Sequence, residues 1–378
     1  MNIKIYIGTI IFSIAFIVLG NILVSGDMPF FDGEAPSVTQ ARINEIIDIE
    51  EESFFIAPGF EIENITITFE ARITRGDRSG EIVTARQQKT DYVTIVDRQV
   101  QAGDNVLLHY DAFNSEWHFT NFVRIGPMFI LVLLLALLVL IVGKIKGFNA
   151  IISLAIVCSS IFFVLIPAIL SGFNIYLISI VICVFCVVTT LIIVVGANKK
   201  AFCAIIGSLG GILLAGLLVF IMDIILNLTG LTSQEAQQLL FLPTQNTISL
   251  NAIVFASILI GAVGAIMDVG LSISTSLWEV RLAGKTTFKE LTSAGINIGR
   301  DIFGTMLNTL ILAYIGSSLS VVLLISVNTT SMLELFNREM IIIEILRALA
   351  GSFGIFLAVP LTTLVCGYFY KEEPQEIG

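Results

Sequence analysis

Between Leu250 and Tyr314 the chain sets ionisable and amide side chains inside long apolar runs, and helical spacing sorts them onto defined faces. Gly261, Gly264, Asp268, Ser272, Thr275 and Glu279 follow one another at steps of three or four residues, giving one stripe that turns from small to polar. A second run carries Asp301, Thr305 and Asn308 on one face, with Arg300 and Gly304 beside them. Carboxylates, hydroxyls and an amide on two helices offer the oxygen ligands and hydrogen-bond partners that a small ion or polar solute needs inside a bilayer. A carboxylate at that depth costs about 2.5 kcal/mol or more unless it meets a partner or water, so something is expected to face Asp268 and Asn308. The two stripes are expected to face each other, and a break in the first helix at Gly270–Thr275 would expose backbone groups for coordination. The competing structural reading is that Asp268 and Arg300 neutralise each other and tie two helices together.

The elements that must position these residues follow from composition. The chain has 378 residues, 56% hydrophobic and 13% charged, far below the roughly 25% charged of a soluble protein. With a mean hydropathy of +0.94 it reads as a multispanning α-helical membrane protein. Spans need about 20 apolar residues. Eight are expected, over Ile5–Val24, Pro127–Gly143, Phe148–Leu170, Ile175–Gly196, Phe202–Leu226, Leu250–Leu277, Ile302–Ser326 and Met340–Gly367. The first run is longer than the core of a signal peptide and is expected to stay as a helix. The domain reading is a first helix over 1–25, a β-rich segment over 26–124, a seven-helix membrane domain over 125–370 and a tail over 371–378.

The formal charge of −10 sits in one place. Between Gly26 and Arg124 there are 18 acids and 8 bases, against 12 of each in the rest of the chain. That balance argues against nucleic acid and against docking of this segment on anionic headgroups. Within it Ile65, Ile67, Phe69, Ala71 and Ile73 alternate with polar neighbours, as do Trp117, Phe119, Asn121 and Val123. Gly76-Asp77 and Gly103-Asp104 punctuate the strands. Five or six short strands suggest a small barrel of OB or SH3-like type. Both histidines, His109 and His118, fall here without a cysteine cluster, so no metal site is expected. All five cysteines lie in the apolar spans and read as core residues, Cys183 and Cys186 included, since nothing nearby lowers a thiol pKa. No cofactor is implied.

Lys and Arg mark alternate loops. Lys144 and Lys146, Lys199 and Lys200, Arg281 to Arg300, and Lys371 fall on one side, which the positive-inside rule makes cytoplasmic. Both termini are then cytoplasmic and residues 26–124 are outside a cell membrane. In the last span Glu344 and Arg347 are three residues apart and can pair, and Arg347, Gly351, Gly354 and Ala358 form a small-residue line for close helix packing. Gly207, Gly211 and Ala215 do the same in the fifth span, and GSLGGILLAG from Gly207 echoes GSFGIFLAVP from Gly351. That echo raises an inverted repeat of spans three to five and six to eight.

The segments GAVGAIMDVGLSIS from Gly261 and GRDIFGTMLNTLILAYIG from Gly299 resemble the signature regions of the bacterial YibE/F family. Glu344, Arg347, Gly351-Ser352 and Val359-Pro360-Leu361-Thr362 complete the pattern. The resemblance covers the whole chain and is to the longer kind of member. It implies a first helix, an exported β-rich segment, seven further spans and a partner from the same family, a shorter member. It implies no biochemical activity. Three functions are therefore weighed on residues alone. Transport or permeation of a small solute or ion through the polar site comes first, and a membrane scaffold or assembly factor acting through its exported barrel second. An enzyme is not expected, because no histidine lies in a span and H-E-x-x-H, G-x-S-x-G and a P-loop are missing. An aspartyl pair of Asp268 and Asp301 is disfavoured by Arg300 beside it.

Overall fold

The computed structural model describes residues 3–25, 38–57, 60–76, 78–90, 98–111, 114–232, 234–241, 248–328 and 331–371. The chain forms two compact units, one over residues 29–139 and one from residues 1–28 with 140–378.

In the first unit, strands β1 (Val38–Ala57), β2 (Phe60–Ile73), β3 (Ile82–Thr90), β4 (Asn105–Asp111) and β5 (Glu116–Phe122) close into a barrel in the order β1-β2-β3-β5-β4. Neighbours are antiparallel except β3 and β5, which run parallel. The alternation on β2 sends Ile67, Phe69, Ala71 and Ile73 into the core, where Ala41, Ile43, Val106, Leu108 and Trp117 meet them. Gly76 and Gly103 have φ of 103° and 93°, a conformation that glycine adopts without strain in tight turns. The expected strands were short, but β1 has 20 residues and β2 has 14. β1 pairs with β4 only over Val38–Arg42, while its pairing with β2 runs on to Ala57, so the hairpin overhangs the barrel. His109 and His118 are cross-strand partners, with no third metal-ligating side chain near them among the described residues.

The second unit is helical. Among the described residues six helices are long and apolar enough to cross a membrane. They are α1 (Ile3–Ser25), α2 (Ile125–Leu170, which begins in the first unit), α3 (Ile175–Val195), α4 (Lys199–Leu226), α5 (Leu250–Leu282) and α8 (Glu339–Tyr370). Between the last two lie α6 (Phe288–Ser317) and α7 (Leu319–Asn328).

The expectation of eight spans meets two departures. Its second and third spans follow each other as α2 without a loop, but they are two helices that meet at a kink where the boundary was expected, since Lys144, at φ 48° and ψ −127°, leaves helical geometry. Its seventh span begins 14 residues early, at Phe288, because Thr287 and Glu290 form a capping box there. The Thr287 hydroxyl and backbone hold the Glu290 carboxyl below its ordinary value. The expected break at Gly270–Thr275 is a correction too: α5 is one continuous helix of 33 residues. Gly270 is buried where Ser208 and the Ala204 carbonyl of α4 approach it, and its lack of a side chain serves that contact instead of a kink.

The tightest crossing joins α4 and α8. A Cβ built on Gly207 would stand 2.7 Å from the Thr362 Cα, and one on Gly211 would stand 2.7 Å from the Gly354 carbonyl oxygen. α5 packs against both of these helices. Under the inverted repeat α2 should do the same, yet it has no comparable packing on either. Four of the five cysteines are buried in this bundle as free thiols, and Cys158 is exposed.

Candidate functional site

The polar stripe belongs to α5, whose buried edge is Ala262, Ile266, Val269, Ile273 and Leu277. On the opposite edge Gly261, Gly264, Asp268, Thr275 and Glu279 are exposed and Ser272 is half-buried. α6 buries Leu291, Gly295 and Gly299, the last two beneath Thr363 and Val359 of α8. That leaves Arg300, Asp301, Gly304, Thr305 and Asn308 exposed.

α5 and α6 are packed neighbours. A Cβ on Gly261 would lie 3.1 Å from the Tyr314 hydroxyl, and one on Gly295 would lie 2.9 Å from Leu277 Cδ1, so α5 and α6 run antiparallel. Interpolation between these two crossings sets Asp268 level with Thr305 and Met306. Asn308 follows less than one turn away.

Contacts separate the candidates. Asp268, Ser272, Arg300, Asp301 and Asn308 make no hydrogen bond or ion pair with any described residue. The Asp268–Arg300 pair of the structural reading is therefore not formed within the chain. Thr275 and Thr305 turn their hydroxyls back to Leu271 O at 2.8 Å and Ile302 O at 3.0 Å, which satisfies them within their own helices. Glu279 lies at one end of the stripe, 3.4 Å from Lys200. There Lys200 and Arg281 stand 5.5 Å and 5.2 Å from the centroid of the Trp278 ring, a basic and aromatic end of the bundle. Asp268 is 13 residues from Arg281, or about 20 Å along a helix.

At the other end of the stripe Arg347 donates to Glu344 Oε1 at 2.7 Å and reaches Ser257 Oγ at 3.4 Å. Glu344 Oε2 and the Tyr314 hydroxyl are buried and unpartnered. Gly351 lies against Leu310, so the Glu344–Arg347 pair sits where α5, α6 and α8 converge. Beside the stripe, Gly264 and Met267 help to line an apolar recess of about 310 Å³ with Ser153, Ile182 and Cys183.

Two polar sites escaped the sequence reading. Asp223, 8% exposed, accepts from the Tyr176 hydroxyl at 3.0 Å and Asn251 Nδ2 at 3.1 Å. Both partners stand at the starts of α3 and α5, whose dipoles favour a carboxylate, so Asp223 clamps two helix ends. Glu339 accepts from the backbone N–H groups of Thr229 and Gly230, both at 2.6 Å, and from the Thr229 hydroxyl at 2.7 Å. Neither site has a local sequence signal beyond an acid at a helix end, because the partners come from distant segments.

A family model described as YibE/F-like protein matches residues 131–372. Of the curated proteins and the solved structures, none matches.

Proposed function

The chain belongs to the YibE/F-like family, and from that premise we propose that its membrane body passes a small solute or ion along the polar edge of α5 and α6. One observation carries the reading: Asp268 lies mid-helix on an exposed edge without a partner among the described residues. Lipid is a poor neighbour for that carboxylate, whereas water and a passing cation are good ones. Ser272, Thr275, Asp301, Thr305 and Asn308 extend the polar edge in both directions, and Arg300 offsets part of the negative charge. Glu344 and Arg347 stand where the path ends. No catalytic step is proposed. Full-length protein in vesicles should pass H⁺, Na⁺ or K⁺ faster than empty vesicles; equal leak for all three would remove the ion reading.

The proposed setting is a bacterial cell membrane crossed by eight segments, counting α2 twice and α6 with α7 once, with both termini cytoplasmic. Gathering of Lys200, Arg281 and Trp278 at one end supports that side as cytoplasmic. Single cysteines at Ser79 and Lys285, in a background without the native five, should label from opposite faces. Labelling from one face would reverse the topology.

A second reading is favoured by the barrel. The closed five-stranded barrel with its parallel β3–β5 contact supports the OB-type reading, and barrels of that type bind ligands on strand faces and loops. The overhanging part of β1 carries exposed Asp48, Glu50, Glu51 and Glu52. A scaffold or assembly role would use that arm to hold a partner, a shorter member of the family included.

A further inference from the structure

We propose that the open edge of α5 and α6 is closed by the same edge of a second copy of this chain, so that the polar path lies between two copies. The proposal rests on the reading of that edge as a path within the bilayer. Four polar groups at comparable depth, Asp268, Arg300, Asp301 and Asn308, have no partner among the described residues and are exposed. The first is about 20 Å from the basic end of its helix, too deep for its short side chain to reach the interface. A protein surface must therefore share the edge with water, and its own character says which surface fits.

The edge carries both charge signs at one level. Arg300 and Asp301 are consecutive, about 100° apart around the helix, and both are exposed. Two copies inserted in the same direction are related by an axis along the membrane normal, which brings residues of equal depth opposite each other. Arg300 of one copy then meets the partner's Asp301, and the converse, so the edge complements itself in charge. A partner of one charge sign would leave Arg300 or Asp301 unmatched. There is also room for approach. Nothing lies within 4 Å of a Cβ built on Gly264 or Gly304, so both glycines face outward and give a neighbouring helix a close seat. Asp268, about one turn deeper than Asp301, stays beside this contact as the water-facing wall.

The test is cysteine cross-linking of the full-length chain in membranes, with the native five cysteines replaced. Cysteine is placed at Gly304, at Thr305 or at Asn308, and at Leu177 on α3, 65% exposed, as a lateral control. Mild oxidation should convert the α6 variants to a species of twice the chain mass, several-fold above the Leu177 variant. Arg300→Asp should lower that yield several-fold, and Arg300→Asp with Asp301→Arg should restore it. Thr305→Cys hardly changes side-chain volume, and abundance is read on the same gel, so a misfolded variant is recognised. An adduct of any other mass, no adduct above the control, or a swap that fails to restore it would overturn the proposal. Cross-linking reads assembly without reference to flux. A pair that forms but passes no ion would sink the path and spare the pair, and the reverse result would do the opposite.

Discussion

Asp268→Asn should remove most ion or solute passage while leaving the protein as abundant as before. The substitution keeps size and hydrogen-bonding capacity and deletes only the charge. No described residue depends on that charge, because Asp268 has no partner among the described residues and none of their buried ions is stranded by its loss. An interaction with a charged group contributes about 1.5–3 kcal/mol. Its loss corresponds to a fall on the order of 10- to 100-fold in flux, measured on reconstituted vesicles. A structural carboxylate would behave in the opposite way, lowering abundance first. Arg300→Gln belongs in the same series, and so does the apolar replacement Asp268→Leu with Arg300→Met. If that double change kept full function, the polar edge would be adhesive only.

Gly207→Leu should prevent the bundle from forming. The Cβ alone would press within 2.7 Å of the Thr362 Cα, and a backbone atom cannot rotate away as a side chain does. α4 and α8 would have to separate along their whole crossing, which also carries Gly211 against Gly354. Overpacking of a core costs about 1–3 kcal/mol where side chains can adjust, and here they cannot, so the upper end or beyond is expected. Detergent-solubilised variant should run as aggregate in size exclusion. A monodisperse peak at the wild-type position would show that the crossing is looser than drawn. Gly304→Leu is the contrast, since nothing within 4 Å opposes it in the single chain.

Much of this architecture could be read from residue order. Strand periodicity from Ile67 to Ile73 needs only the rule that alternate side chains share a face, and the structure buries all four apolar members. The long spans need only hydropathy. Helix ends depend on finer chemistry: Thr287 and Glu290 begin α6 through a cap, well before its apolar run begins. The expected break in α5 rested on its polar inner third, Gly270–Thr275, and a glycine there can serve a kink or a close crossing equally well until the neighbouring helix is known. The stripe itself was legible, because Asp268, Thr275 and Glu279 share a face by spacing alone. Its surroundings were not, since Lys200 beside Glu279 and the lack of a partner for Asp268 among the described residues are tertiary facts. Asp223 shows the limit from the other side: its partners Tyr176 and Asn251 come from α3 and α5.

Water at the middle of the polar edge separates a path from mere adhesion, and a thiol reports it without knowledge of the solute. Single cysteines at Asp268, Thr275, Thr305 and Asn308 would be offered a membrane-impermeant, water-soluble maleimide in sealed membranes, from each side in turn, with Ile14→Cys, mid-way along α1 and 53% exposed, as the control on an apolar face. Labelling is expected at the four edge positions and none at Ile14. Four edge thiols as silent as the control, in variants of normal abundance, would contradict it.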